Sequence, residues 1–244
     1  MKFVFDIDGT VCFDGQRIER PIQTAIDECV KMKHEVIFAS ARPIRDLLPV
    51  LPKKYHSFQM IGGNGAFVMK NEQIEIESFD WKTIKQIKDL IEQYHLNYLV
   101  DSDWHYSYTG DEAHPIFERI NTENGAQNKL LNDLTCIAKI ILFTSNSDIE
   151  EQLQGLSIEL HKHTNESLLD ISPIGIHKYA GLEKLAVFEK QYVAFGNDQN
   201  DASLFQHALE SVCVGEHEIK RLATTSIKKE DVANSIIKLA EKYV

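Results

Sequence analysis

The four cysteines of this chain, Cys12, Cys29, Cys136 and Cys213, stand far apart with no CxxC pair. That spacing excludes a disulfide framework and a thiolate zinc site and leaves them as reduced thiols. No apolar run approaches the roughly 18 to 20 residues needed to cross a bilayer, and the stretch Ile137 to Phe143 is already interrupted by Lys139. Basic residues are in deficit, with 26 Lys and Arg against 37 Asp and Glu for a formal net charge of −11. A general nucleic-acid binder needs the opposite balance to displace counterions from phosphates. Internal repeats and low-complexity linkers are also missing. Only Lys2 precedes a short apolar run that meets Asp6 and Asp8 at once, which is not the layout of a signal peptide. The expectation is a folded cytoplasmic protein with neither a membrane nor a nucleic acid as partner, and no pattern reports its oligomeric state. An Asn165-Glu166-Ser167 glycosylation triplet has no consequence in that compartment.

What remains is 244 residues at 43% hydrophobic and 26% charged, enough for one large domain or two small ones. Lys2 to Ile7 (KFVFDI) is an apolar run ending in carboxylates and a Gly9-Thr10 turn, as expected of a buried parallel strand. Pro21 opens a helix whose apolar face is Ile22, Ala25, Ile26, Cys29 and Val30, and Glu35 to Ala39 is a second strand. Strand, helix, strand at this spacing is the unit of a doubly wound α/β sheet. A third strand ends in Gly62-Gly63-Asn64-Gly65, and a hairpin follows over Ala66 to Ile76. The alternation then stops. Helices are expected at Trp81 to Tyr94, Ala113 to Asn121 and Asp148 to Leu153, with strands at Tyr98 to Val100, Trp104 to Tyr108, Ala138 to Phe143 and Ile158 to His161. That mixture reads as an antiparallel α/β block. Regular alternation resumes at Lys178 and closes with a helix at Val232 to Tyr243. The domain expectation is a Rossmann-like parallel-sheet core from residues 1–78 and 158–244, split by an inserted mixed α/β domain at 79–157.

Four places carry chemistry, each at a strand's C-terminal end or a helix start, where open α/β sheets bind ligands. They are Asp6-Ile7-Asp8-Gly9-Thr10, Ser40, Lys178, and Gly196-Asn197-Asp198-Gln199-Asn200-Asp201. Residues two apart in an extended segment project to one side, so Asp6 and Asp8 are expected together unless the turn re-aims Asp8. Close like charges call for a cation or a shared proton. In this order the four elements resemble the haloacid dehalogenase-like hydrolase superfamily, and an insertion between Ser40 and Lys178 resembles its Cof-type branch, whose members carry a mixed α/β cap there.

The resemblance implies a Mg²⁺-dependent phosphatase acting on a small phosphorylated metabolite, of the sugar phosphate or nucleotide class, with the cap closing to exclude water. It makes Asp6 the nucleophile and Asp8 the acid and base. Ser40, Lys178 and Asn200 take the phosphoryl group, and Asp6, Asp8 and the Asn197, Asp198 and Asp201 loop take the metal. Chemically, an ordinary carboxylate near pKa 4 is already ionised at pH 7 and needs no base, whereas Asp8 should be raised toward neutrality to give and take protons. Arg42 and Asn64 sit where the branch places substrate contacts, though a surface arginine and a turn asparagine are the plainer readings. One departure is specific. Asn197 stands where the metal-binding aspartate usually stands, and an amide oxygen suits Mg²⁺ without bringing charge. The alternatives are a phosphomutase using the same aspartyl phosphate and a catalytically silent phospho-ligand sensor. His161 and His163 lack a third metal ligand, and the aromatics from Trp104 to Tyr108 suit a half-buried strand.

Overall fold

The computed structural model describes residues 1–120, 125–163 and 167–244. Asn121, the Asn165-Glu166 part of the glycosylation triplet and the side chain of His163 lie outside the described residues. The chain forms two compact units, Met1–Glu75 with His177–Val244, and Ile76–Ile176.

The first unit starts with β1 (Lys2–Phe5), whose residues 3–5 are buried. In α1 (Arg20–Lys31), Pro21 occupies the first turn, where its missing N–H costs nothing. Ile22, Ala25, Ile26 and Cys29 form the buried stripe of this helix. Then come β2 (Glu35–Ala39), a one-turn α2 (Ile44–Leu47), β3 (Gln59–Gly62), β4 (Phe67–Lys70) and β5 (Gln73–Ile76).

The second unit holds α3 (Trp81–Tyr94), β6 (Tyr98–Asp101), β7 (Tyr106–Thr109), α4 (Pro115–Glu118), β8 (Lys139–Leu142), α5 (Ser147–Gln154), β9 (Ile158–His163) and β10 (Leu168–Pro173). The chain returns to the first unit through α6 (Lys178–Lys184), β11 (Tyr192–Gly196), α7 (Ala202–His207), β12 (Glu210–Val214), β13 (Thr225–Ile227) and α8 (Val232–Lys242).

The first sheet has the order β13-β12-β11-β1-β2-β3-β4-β5. Strands β1, β2, β3, β11, β12 and β13 run parallel, and β4 is antiparallel to β3. The order reverses between β1 and β11, so the ends of these two neighbours form the switch point at which a doubly wound sheet opens a crevice. Phe5 and Phe195 pack there with ring centroids 5.1 Å apart. On the α6 and α7 side the core is Val4, Ile37, Ile61, Leu182, Ala194 and Leu204.

The second sheet has the order β7-β6-β8-β10-β9, and its pairings are antiparallel. Ile87, Leu90 and Ile91 of α3, with Ile149 and Leu153 of α5, cover the face bearing Val100, Ile140, Leu142, Leu169 and Ile171. Asp80 caps α3 by accepting from the N–H groups of Lys82 and Thr83 at 2.9 and 3.0 Å, satisfying donors the helix leaves open. On the opposite face Tyr106 and Tyr108 are buried with Leu99 and Ala126, so these aromatics are core.

Three expectations are corrected. Strand β10 was not anticipated, and β9 pairs with it from Ile158↔Pro173 to His163↔Leu168 while β8 takes its other edge. The insertion therefore runs to Ile176, not to residue 157. The signal is obscured because LLDISP is buried along its whole length and has no alternation to read. The helix expected over 113–121 is only Pro115–Glu118. Strand β13, an edge strand with two exposed residues and one half-buried, was also not anticipated for want of an apolar pattern.

Candidate active site

Parallel strands deliver side chains at their C-terminal ends, and the four motif elements meet at that edge of the first sheet. Asp6 follows β1 with its N–H bonded to the Phe195 carbonyl of β11 at 2.9 Å, which locks it beside the loop after β11. The residue is buried, 4% exposed. Lys178 Nζ donates to Asp6 Oδ1 at 2.6 Å and to Asp201 Oδ1 at 2.7 Å, and Thr10 Oγ1 donates to Asp6 Oδ2 at 2.7 Å. Lys178 is fully buried as the first residue of α6. His177 caps that helix by accepting the Ala180 N–H at Nδ1, 3.0 Å.

Burial, reinforced by the charge of Asp201 and opposed by Lys178, pushes the Asp6 carboxyl from 3.8 up to about 7. The expectation of an ordinary pKa near 4 is thus overturned for the protein without a bound cation, because desolvation outweighs one shared ammonium. Burial alone would lower Lys178, but Asp201 and Asp6 hold it above its usual range.

Asp8 goes elsewhere. Gly9, at φ +78°, turns the chain, and the Asp8 carboxylate receives Arg42 Nε at 2.8 Å and Nη2 at 2.5 Å. The two carboxylates therefore do not share a cation: Asp6 has Lys178 and Asp8 has Arg42. Ser40 is buried at the end of β2, and its Oγ accepts the Arg42 N–H at 3.1 Å. Asn64 is buried in a left-handed turn, φ 58°, with its N–H on the Ser40 carbonyl at 3.0 Å. Asn200 Nδ2 donates to Asn64 Oδ1 at 3.2 Å, while Asn200 Oδ1 is buried without a partner. Arg42 is placed as the clasp on Asp8, and Asn64 serves its turn as well as orienting Asn200.

In the Gly196 loop, Asp201 is fully buried. Its Oδ2 accepts the N–H groups of Asn197 and Asp198 at 2.8 and 3.1 Å, so both of its oxygens are engaged and it braces the loop and Lys178. Gly196 has to be glycine, since a Cβ there would lie 2.5 Å from Asp201 Cγ. Asp198 is exposed and accepts the Gln199 N–H at 2.7 Å. The inward atom of the Asn197 amide lies 3.0 Å from the Asp8 carbonyl, 3.1 Å from Asp6 Oδ2 and 3.0 Å from Thr10 Oγ1. All three neighbours are oxygens, and the Thr10 proton goes to Asp6, so the hydrogen-bond network places Nδ2 inward. Thr10 was not singled out by the sequence reading, although it ends the DxDGT motif.

A hard divalent cation fits this set. Among the described residues no group of three or more His, Cys, Asp or Glu side chains is disposed to hold a metal. A site here must therefore draw on carbonyl and amide oxygens: the Asp6 carboxylate and Asp8 carbonyl stand together, and the Asn197 amide would add its oxygen to them on turning over. Oxygen donors of this kind are what Mg²⁺ requires.

The profile of the haloacid dehalogenase-like hydrolases matches residues 3–239. A Bacillus subtilis (strain 168) protein named "Putative phosphatase YkrA" is 24% identical over 251 residues, covering 96% of each chain. The solved structure of the HAD subclass IIB sugar phosphatase BT4131 superposes with a TM-score of 0.80 at 17% identity, over 99% of this chain and 98% of that one. TM0651 from Thermotoga maritima gives 0.76 at 23% identity, over 99% and 96%. At these identities the structures share the fold. Among the described residues no helix is long and apolar enough to cross a membrane.

Proposed function

The chain belongs to the haloacid dehalogenase-like hydrolases, in their Cof-type branch, and we propose from that premise that it hydrolyses a small phosphorylated metabolite through an aspartyl-phosphate intermediate. The observation that carries the reading is the buried Asp6 carboxylate at the sheet's switch point, held at 2.6 Å by an ammonium shared with Asp201. A sugar phosphate is the first substrate class to test, in keeping with the fold shared with a sugar phosphatase.

In the first step an Asp6 oxygen attacks phosphorus and the bond to the leaving oxygen breaks, with Asp8 giving a proton to the departing alkoxide. In the second, water attacks phosphorus and passes a proton to Asp8, and the acyl phosphate opens to return Asp6 and free phosphate. Lys178 neutralises charge beside Asp6, and Ser40 and Asn200 line the place of the phosphoryl oxygens. The Asp6 carboxylate, the Asp8 carbonyl and the Asn197 amide oxygen would hold Mg²⁺, with Asp198 and Asp201 as nearby charges. When bound, the ion would draw negative charge off the transferring group.

The test is phosphate release from a panel of sugar phosphates and nucleotides with and without Mg²⁺, beside Asp6→Asn. Mg²⁺-dependent release by the wild type and none by the folded variant is the expected result. Release by Asp6→Asn at the wild-type rate would overturn the assignment. Release by neither protein across the panel would favour the sensor alternative.

A further inference from the structure

The inference rests on the proposed phosphatase site and deepens it at the residue where this chain departs from the family pattern. We infer that Asn197 is a positioning residue with two settings: without a cation its amide donates to Asp6 and to the Asp8 carbonyl, and cation binding requires the amide to turn over.

Three oxygens surround the inward amide atom at 3.0 to 3.1 Å. Above about pH 7, where Asp6 is ionised, an inward Oδ1 would face Asp6 Oδ2 and the Asp8 carbonyl with no proton among them, a buried arrangement that costs the desolvation of each group. An inward Nδ2 brings two protons to the same acceptors, one of them a carboxylate, where hydrogen bonds are strongest. The residue has little other freedom. Its N–H is fixed on Asp201 Oδ2 at 2.8 Å. Its outer amide atom lies where a Cβ on Gly9 would be 2.3 Å away, so the glycine makes room for the amide. Rotation about the terminal torsion is then the response left to the side chain, and it exchanges a donor for an oxygen ligand without moving the loop.

The consequence is a site satisfied in its own right before metal arrives. A carboxylate at 197 has no proton to offer, so in the metal-free protein it would stand against Asp6 and the Asp8 carbonyl. With asparagine there, the incoming cation competes with hydrogen bonds already made and meets one negative charge fewer. Both effects weaken binding.

Melting in EDTA at about pH 8, where Asp6 is ionised, should place Asn197→Asp about 4 to 8 °C below the wild type, as expected for losing hydrogen bonds to a charged group in a chain of this size. Saturating Mg²⁺ should close that gap, and calorimetry should give the variant at least about tenfold tighter Mg²⁺ binding, in line with the gain of a charged ligand. The Asn197 side-chain ¹⁵N resonance, assigned through the backbone resonances of the same residue, should move in EDTA when Asp6→Asn replaces its charged acceptor with a neutral amide. In the wild type it should move again on addition of Mg²⁺. Equal melting in EDTA overturns the inference, as does a resonance indifferent to Asp6→Asn or to Mg²⁺ at concentrations that bind. The resonance decides the matter if Asn197→Asp does not fold. Absence of Mg²⁺ binding by calorimetry also overturns it, while phosphate release by the wild type judges the phosphatase reading separately.

Discussion

Arg42 grips Asp8 with two prongs, Nε at 2.8 Å and Nη2 at 2.5 Å, and Nη2 also donates to the Gly15 carbonyl at 2.9 Å. The arginine side chain is 11% exposed and the aspartate 42%, so the guanidinium is the fixed partner and the carboxylate faces solvent. A fork of this kind occupies both carboxylate oxygens. In the proposed reaction, Asp8 would have to release at least one prong to protonate a leaving alcohol.

Asp8→Asn should therefore lower kcat by about 10² to 10⁴ on alkyl phosphates, the usual worth of general acid and base help. The loss should be smaller on nitrophenyl phosphate, whose leaving group needs no proton. Arg42→Ala should reproduce that leaving-group dependence in weaker form, and Arg42→Lys should recover part of it, because one ammonium keeps the charge but not the fork. Steady-state rates on the two substrate types check the expectation. Equal losses on both would place Asp8 outside proton transfer.

Lys178 is fully buried between Asp6 and Asp201, and removing one partner of a buried ionic cluster leaves uncompensated charge. Lys178→Met should cost about 3 to 5 kcal/mol of stability near neutral pH and abolish turnover. Adding Asp201→Asn should recover a large part of the stability and none of the activity. Urea denaturation of the single and double variants reads this directly. Equal stability of the two would mean that the Asp201 charge is balanced by its bonds to the loop N–H groups alone.

Much of this site was legible because its residues sit in short motifs at strand ends, where backbone direction dictates where a side chain emerges. α1 could be read from its apolar periodicity, and β1 and β2 from short apolar runs, and so Asp6, Ser40, Lys178 and the Gly196 loop could be brought to one edge. Side-chain pairing could not. Whether Asp8 faces Asp6 or Arg42 depends on the Gly9 turn and on a guanidinium 34 residues away, and no local pattern encodes that. The protonation of Asp6 depends on desolvation, a property of the assembled core. β10 was hidden for a different reason: burial on both faces erased its alternation, and the boundary of the insertion moved with it.

The eight-stranded sheet and the five-stranded sheet each have their own apolar core. A protein in which residues 76–176 are replaced by a short Gly-Ser linker should fold into the first unit, with cooperative melting and a dispersed NMR spectrum. It should keep the Phe5–Phe195 contact at the switch point. The paired strands β9 and β10 leave together in this design, whereas a cut at 157 would strand both without β8. Replacing 79–157 instead should therefore give a less stable, aggregating product. If both shortened proteins behave alike, the boundary at Ile176 has no energetic meaning.

The raised Asp6 carboxyl makes a prediction about stability in the absence of metal. Its ordinary value is 3.8 and burial beside Asp201 takes it to about 7 in the folded protein. Between these values the folded state retains a proton that the unfolded chain has lost. Where the native state binds more protons, stability falls as pH rises. In EDTA the wild type should lose stability from about pH 4 upward, with the loss complete above about pH 7, and Asp6 should account for on the order of 4 kcal/mol of it. Asp6→Asn carries no proton to lose, so its stability curve should be flatter over that window whatever its absolute level. Urea denaturation of both proteins in EDTA at pH 5 and pH 8 measures the difference in slope. Parallel curves would mean that Lys178 keeps Asp6 ionised in the folded state throughout. With Mg²⁺ present the wild-type slope should shrink or reverse, because a bound cation favours the ionised carboxylate and so stabilises the folded state more as pH rises.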